Sequence, residues 1–229
     1  MSKRYIDVAG VRIGGGAPVS IQSMTTADTA DTQSVLAQIR ELEEAGCELV
    51  RVAAYDLNSA KNIRNIVDGT SLPIIADVHF DAGIAIAAIE AGAHKVRINP
   101  GNIGSRDKIE SVVRAEKMAG VPIRVGANSG SLAKDYAGLK LSDALVESAL
   151  SNVRILEKLG FYDIAISLKA SDVSATIQAY RKMSGIVDYP LHLGVTEAGA
   201  YAASVVKSSI GIGSLLVDGI GDTIRVSVT

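Results

Sequence analysis

Lys95-Val-Arg-Ile-Asn-Pro-Gly-Asn102 reads as a short buried strand, Val96 to Ile98, that stops at a turn made by Pro100 and Gly101. Strand alternation puts Arg97 and Asn99 on one face, with Val96 and Ile98 on the other. A guanidinium inside so short an apolar strand is costly to bury unless something answers its charge. The same device recurs along the chain: an apolar strand, a cationic or amide side chain near its end, then a turn rich in glycine or serine.

Outward from this stretch, apolar runs stand at Val19–Met24, Leu49–Ala54, Ile74–His79, Ile123–Ala127, Ile164–Lys169, Leu191–Val195 and Thr223–Val228. With Val96–Ile98 they make eight strands, separated by seven segments of helical period. Val35, Leu36, Ile39 and Leu42 mark the apolar stripe of the first helix; Leu145, Ala149, Val153 and Leu156 mark that of the fifth. Asp31, Ser105 and Ser142 read as N-caps, and Gly46, Gly92, Gly120 and Gly160 as helix stops. Strands alternating with helices predict the α/β class, as a (β/α)8 TIM barrel; an open doubly wound sheet is the competing arrangement. Tyr5-Ile-Asp-Val8 and Val11-Arg-Ile-Gly14, joined by Ala9-Gly10, read as a β-hairpin lidding one end. The expected division is an N-terminal hairpin over 1–17 and a barrel over 18–229, with the eighth helix missing after the last strand.

Hydrophobic residues make up 48% of the 229, enough for one large core, and with no Trp and two Phe that core must be Ile, Val, Leu and Ala. A net charge of −2 supplies no basic field for nucleic acid or an anionic membrane surface. No apolar run reaches the roughly 18 residues of a transmembrane helix. The polar start Met1-Ser-Lys-Arg4 lacks a signal-peptide apolar region, so the expected location is cytoplasmic. Cys47 is the one cysteine, which excludes an internal disulfide and a multi-cysteine metal site within this sequence.

Barrel chemistry sits at the C-terminal ends of the strands. The polar residues there are mostly cations and amides: Arg51 on the second strand, Asp77 and His79 on the third, Arg97 and Asn99 on the fourth. Arg124 and Asn128 follow on the fifth, Ser167 and Lys169 on the sixth, His192 and Glu197 on the seventh, Arg225 and Ser227 on the eighth. Even spacing puts Arg97 with Asn99, Arg124 with Asn128, Ser167 with Lys169, and Arg225 with Ser227 on common faces. Five of the eight strands therefore present Arg or Lys against two carboxylates, Asp77 and Glu197. Any one cation is as readily a structural ion pair, Arg124 and Arg225 most of all. Together they ask for an anion of two to four charges, such as a diphosphate, held by charge-assisted bonds of roughly 1.5–3 kcal/mol each. His79, beside Asp77 and Asp81, is open to three readings: ligand donor, proton carrier or turn cap. Gly211-Ile-Gly213 and Gly219-Ile-Gly221 precede the eighth strand and read as packing glycines at the opposite end; Cys47 reads as core and His94 as structural.

Seven ordered motifs give these residues a family likeness: Ile21-Gln-Ser-Met-Thr25, Asp77-Val-His-Phe-Asp81, Lys95–Asn102, Asn128-Ser-Gly-Ser-Leu132, Ser167-Leu-Lys-Ala-Ser-Asp172, His192-Leu-Gly-Val-Thr-Glu-Ala-Gly199 and Asp218-Gly-Ile-Gly-Asp-Thr-Ile-Arg-Val-Ser227. Over essentially the whole chain they resemble 4-hydroxy-3-methylbut-2-enyl diphosphate synthase of the non-mevalonate isoprenoid pathway. The resemblance implies an oxidoreductase barrel that binds 2-C-methyl-D-erythritol 2,4-cyclodiphosphate, whose ring is opened by two-electron reduction with loss of water. It further implies a 4Fe-4S cluster held in a separate C-terminal domain, ferredoxin or flavodoxin as electron donor, and a homodimer. By motif, Arg51, Arg97, Asn99, Arg124, Asn128 and Lys169 would be diphosphate ligands, with His79 and Glu197 at the ring or its leaving oxygen. The iron-sulfur domain is absent from these residues, so the barrel by itself would be inactive. Two other classes remain open: a binding-only module for a phosphorylated metabolite, and a barrel aldolase or isomerase with Lys169 as Schiff-base nucleophile.

Overall fold

The computed structural model describes residues 2–79, 81–132, 136 and 138–228, without the Ser131 side chain. Phe80 of the Asp77–Asp81 motif and Thr229, after the last strand, lie outside the described residues. The chain opens with β1 (Tyr5–Val8) and β2 (Val11–Gly14), an antiparallel hairpin pairing Tyr5 with Gly14. Its turn residues Ala9 and Gly10 both have positive φ, the primed-turn geometry that matches strand twist.

A parallel sheet of eight strands follows: β3 (Ser20–Met24), β4 (Leu49–Ala53), β5 (Ile74–Asp77), β6 (Lys95–Arg97), β7 (Ile123–Asn128), β8 (Ile164–Lys169), β9 (His192–Leu193) and β10 (Thr223–Ile224). They run in the order β8-β7-β6-β5-β4-β3-β10-β9, and a bridge between Ile166 and Leu191 joins the two ends into a barrel. Helices α1 (Thr32–Glu44), α2 (Leu57–Asp68), α3 (Ala82–Glu90), α5 (Arg106–Ala119), α6 (Leu141–Lys158), α7 (Val173–Ser184) and α8 (Tyr201–Val217) make the crossovers, and a short α4 (Pro100–Ile103) precedes α5. The predicted barrel is present. Among the described residues no helix follows β10, and Ile21 on β3 and Val206 and Ile210 on α8 are exposed.

The caps follow simple chemistry. Asp31, Asp56, Asp81 and Asp172 each accept a hydrogen bond from the amide three residues on. Four carboxylates at the mouth end are thereby committed to helix termini rather than to the barrel interior. Ser105 stands at the N-cap of α5 without a capping bond, and Ser142 is a buried helical residue, Lys140 taking the cap of α6. The four glycine stops all have positive φ, and Gly120 ends α5 in the left-handed conformation that a side chain disfavours. The stripe residues Val35, Ile39, Leu145, Ala149, Val153 and Leu156 are buried in the helix–sheet core.

Three expectations need correction. The decisive strand is Lys95–Arg97, not Val96–Ile98, which adds Lys95 to the face carrying Arg97 and Asn99. Pro100 opens the one-turn α4 instead of a plain turn, because its fixed φ suits a first helical position and Asn152 anchors the Gly101 amide at 2.8 Å. The last two strands shrink to two residues each, and just beyond them Gly194 leaves no room for a side chain: a Cβ there would lie 2.7 Å from the Arg225 oxygen.

The hairpin closes the N-terminal end of the barrel. Ile6, Val8 and Ile13 pack with Leu49, Ile75 and Ala165 in a small cluster at the starts of β4, β5 and β8. Cys47 is buried and its thiol faces the backbone oxygens of Ile21 and Leu49. His94 accepts from the Ile74 amide through Nδ1 at 3.0 Å. Gly211 lies against Val195 and Gly221 against Leu193, as packing glycines do.

Glu116 is out of keeping with its surroundings. It is 0% exposed on α5, and neither carboxyl oxygen has a hydrogen-bond partner among the described residues. Burial pushes its carboxyl well above the value of 4.5 it has in solvent, so the native state keeps a proton that the unfolded chain releases. Stability from this group is full below that value and is lost as pH rises. Glu116→Met is expected to stabilise the fold by roughly 1–3 kcal/mol at neutral pH, with a smaller gain in acid, measured by urea denaturation. An equal gain at both pH values would show that ionisation has no part in it.

Candidate active site

Register decides which side chains meet at the mouth. Met24 pairs with Arg51, Asp77 with Arg97, Arg97 with Arg124, Gly126 with Ser167, and Asn128 with Lys169. A cavity of about 150 Å³ results, lined by Arg51, Asp77, His79, Arg97, Arg124, Gly126, Ala127, Asn128, Ser167, Lys169, Thr196, Arg225 and Ser227. A larger hollow of about 550 Å³ lies at the hairpin end around Lys3, Arg4 and Tyr162, but it has no such convergence of charge. Convergence of charged side chains, not size, marks the mouth as the candidate site.

Asp77 is the hub. Its Oδ1 lies 3.1 Å from Arg97 Nη1 and its Oδ2 lies 3.4 Å from Arg51 Nε. Burial would raise this carboxyl, yet Arg51, Arg97 and Arg124 together outweigh burial and hold it down at about 2. Arg51 also directs Nη2 and Nε at the Met24 thioether, 2.9 and 3.3 Å away. Arg124, 2% exposed, reaches only the Ser167 hydroxyl at 3.5 Å, and its Nε has no partner among the described residues. Burial first, then Arg51 and Arg97, push Arg124 down, but a guanidinium stays charged at any ordinary pH. Lys169 is buried with Nζ unpartnered among the described residues, and burial followed by Arg124 and Arg225 drives it well below the usual lysine value. Burial also brings Arg225 down to about 10, with Arg51 adding to the effect and Asp77 opposing it.

His79 sits at the rim of this group. Its Nε2 is 3.7 Å from Asp77 Oδ2, and Nδ1 is 3.4 Å from Arg97 Nη1. Burial lowers its pKa and the two arginines add to that, more than Asp77 raises it, so the ring is neutral near pH 7. Tyr55 stacks beside it, ring centroids 6.3 Å apart.

Two glycines make the space. A Cβ at Gly194 would stand 2.8 Å from Lys169 Nζ, and one at Gly126 would run into the Ser167 hydroxyl. Among the described lining residues the resulting cradle sets four arginines and Lys169 against one carboxylate, that of Asp77.

The sequence matches the GcpE TIM-barrel domain over residues 3–229. The chain belongs to the GcpE family. Relatives named 4-hydroxy-3-methylbut-2-en-1-yl diphosphate synthase (flavodoxin) include one from Symbiobacterium thermophilum, 56% identical over 99% of this chain and 62% of its own length. Another, from Desulfotalea psychrophila, is 53% identical over all of this chain and 64% of its own. The GcpE chain described here thus spans less than two thirds of those relatives. In shape it is similar to a Yersinia pestis dihydropteroate synthase, with TM-score 0.71, 13% identity and coverage of 98% of this chain and 91% of that one. A Thermotoga maritima phospho-2-dehydro-3-deoxyheptonate aldolase gives TM-score 0.67 at 13% identity, covering 96% and 62%. Identities this low speak for the barrel alone.

Of the residues singled out from the sequence, Arg51, Asp77, His79, Arg97, Arg124, Asn128, Ser167, Lys169, Arg225 and Ser227 line one cavity in this GcpE barrel. Asn99 stands beside it: its Oδ1 accepts from the Gly126 amide at 3.0 Å and so shapes the wall. Glu197 lies on the rim with φ of 50°, its Oε1 3.7 Å from where a Gly130 Cβ would be. His192 is fully buried and outside the cavity lining. Missing from the sequence reading were Lys95 and the glycine cradle. Parity with Arg97 was the available signal for Lys95.

Proposed function

We propose that this chain is the substrate-binding barrel of a 4-hydroxy-3-methylbut-2-en-1-yl diphosphate synthase that takes its electrons from flavodoxin. The substrate on this reading is 2-C-methyl-D-erythritol 2,4-cyclodiphosphate. One observation carries it: in a GcpE-family barrel, Arg51, Arg97, Arg124, Arg225 and Lys169 converge at the mouth around Asp77, the one carboxylate among the described lining residues. A cyclic diphosphate dianion supplies the charge these groups lack, and the planar forks of the arginines suit its phosphoryl oxygens. His79, neutral, faces Arg97 through Nδ1 and Asp77 through Nε2, and so stands at the rim beside the position the substrate ring would take. Glu197 stands at the rim beside the Asn128–Gly130 turn.

A 4Fe-4S cluster would supply electrons in the reductive ring opening. The described residues do not fit one: no group of three His, Cys, Asp or Glu among them could hold a metal, and Cys47 is buried near the hairpin end. The barrel's own part is to bind, orient and desolvate the diphosphate, and no reductive step is assigned to its residues. No helix among the described residues is long and apolar enough to cross a membrane, which agrees with a cytoplasmic biosynthetic role.

Titration calorimetry of the chain with the cyclodiphosphate, against inorganic sulfate, tests this. Binding tighter than sulfate by about tenfold or more, some 1.4 kcal/mol, is expected. No binding heat, or affinity equal to that for sulfate, would overturn the reading.

A further inference from the structure

Beneath the mouth lies a second polar layer that the proposed contacts do not use. Lys95 pairs in register with Ile75, one of the interior residues that the hairpin covers, and is 0% exposed. Its Nζ has no hydrogen-bond partner among the described residues. His192 is equally buried, and neither ring nitrogen has a partner there. Below, Ile6, Val8 and Ile13 of the hairpin seal the floor with apolar surface. The charged layer that holds the proposed anion lies above.

The surroundings of Lys95 are cationic. Arg124 comes from β7, Arg51 from β4 and neutral His192 from β9. On β5 the nearest acid is Asp77, two residues beyond Ile75 and already engaged by Arg51 and Arg97. Outside the sheet, α3 packs on β6, and its Glu90 is exposed. An ammonium without an acceptor in this setting is poorly stable: burial first, then Arg124 and Arg51, bring Lys95 down to about 7. Lys169 is also depressed, but it stands in the cavity wall and meets an anion directly.

We propose that Lys95 is a proton-accepting positioning residue under the anion site: buried and unpartnered among the described residues, it is largely neutral in mildly alkaline solution while the barrel is empty and takes a proton from solvent when a diphosphate dianion occupies the mouth. The inference rests on the anion-site reading above. A dianion against Arg51 and Arg124 offsets the repulsion that these cations add to the cost of burying Lys95 as an ammonium, and the new ammonium then attracts the dianion in return. By linkage, whatever favours the protonated lysine carries a proton in with it and binds more tightly as pH falls.

The cyclodiphosphate is a clean probe, because each phosphorus bears one strongly acidic hydroxyl and the ligand stays a dianion across neutral pH. Calorimetry at about pH 8, in buffers of different ionisation enthalpy, is expected to show uptake of roughly half a proton or more per ligand, and the share that depends on Lys95 should vanish near pH 5.5, where Lys95 is already charged. Lys95→Met should lower that uptake by about half or more and flatten the dependence of Kd on pH, an effect that loss of packing alone would not produce. Binding without proton uptake would overturn the inference and leave the anion site standing; undiminished uptake in Lys95→Met would also overturn it. Absence of binding would overturn both. If Lys95→Met does not fold, ¹³Cε lysine shifts at about pH 8 in a Lys169→Arg background decide the matter. One neutral lysine that becomes charged on adding ligand is expected, whereas lysines all charged beforehand would refute it.

Discussion

Replacing Asp77 by alanine is expected to destabilise the barrel by about 3–5 kcal/mol, the usual cost of removing one partner from a buried ion pair. The carboxylate is 3% exposed and bonded to both Arg51 and Arg97, and the four aspartates at the neighbouring helix starts are occupied as caps. With it gone, the buried guanidinium of Arg51 and the partly buried one of Arg97, neither of which can shed its proton, are left without their shared carboxylate. The loss should be partly reversible by anions. Sulfate or the cyclodiphosphate binds only the folded state, so either should raise the stability of Asp77→Ala more than that of the unsubstituted chain. The pH dependence has a definite sign. A carboxyl held at about 2 in the native state and 3.8 in the unfolded chain contributes stability above 3.8 that is lost as pH falls toward 2. In Asp77→Ala that acid limb should flatten. Urea titrations over pH and sulfate concentration would decide it; a variant as stable as the parent, with no added anion dependence, would show that the hub carries no structural charge.

The fold was legible because its signals are local. Strand spacing, helix stripes and the Ala9-Gly10 turn each depend on residues near one another in sequence, and each reappears in the structure. Face was legible too, since alternation fixes it: Arg97, Arg124, Ser167, Lys169, Arg225 and Ser227 all reach one cavity. Height along the barrel axis was not. It depends on the stagger between strands, which pairs Asp77 with Arg97 and Arg97 with Arg124 while setting Lys95 level with Ile75. His192 therefore looked like a mouth residue and lies below it. Lys95 escaped notice because a lysine before an apolar run is ordinarily a solvated strand end. The Gly126 and Gly194 cradle shows only when neighbouring strands are built around it.

Arg97→Ala is expected to act in the opposite sense from Asp77→Ala, and the contrast separates a ligand from its organiser. Arg97 is one cation among several, so deleting it relieves repulsion as well as removing a bond to Asp77, which keeps Arg51 at 3.4 Å. Fold stability should change by about 1 kcal/mol or less in consequence, far below the loss at Asp77. Anion binding should suffer instead. A guanidinium at this position offers charge-assisted bonds of roughly 1.5–3 kcal/mol, so Kd for the cyclodiphosphate should weaken by more than about tenfold. Lysine would not restore it, because a single ammonium cannot contact Asp77 and two phosphoryl oxygens with the geometry of a planar fork. His79 gives an internal check. With Arg97 gone, one of the two cations that depress its pKa is removed while Asp77 remains 3.7 Å away, so the ring should titrate at higher pH by NMR. Calorimetry and urea denaturation on the same preparation would separate the two effects. Unchanged affinity would remove Arg97 from the anion site, and a loss of stability matching Asp77→Ala would make it a structural ion pair.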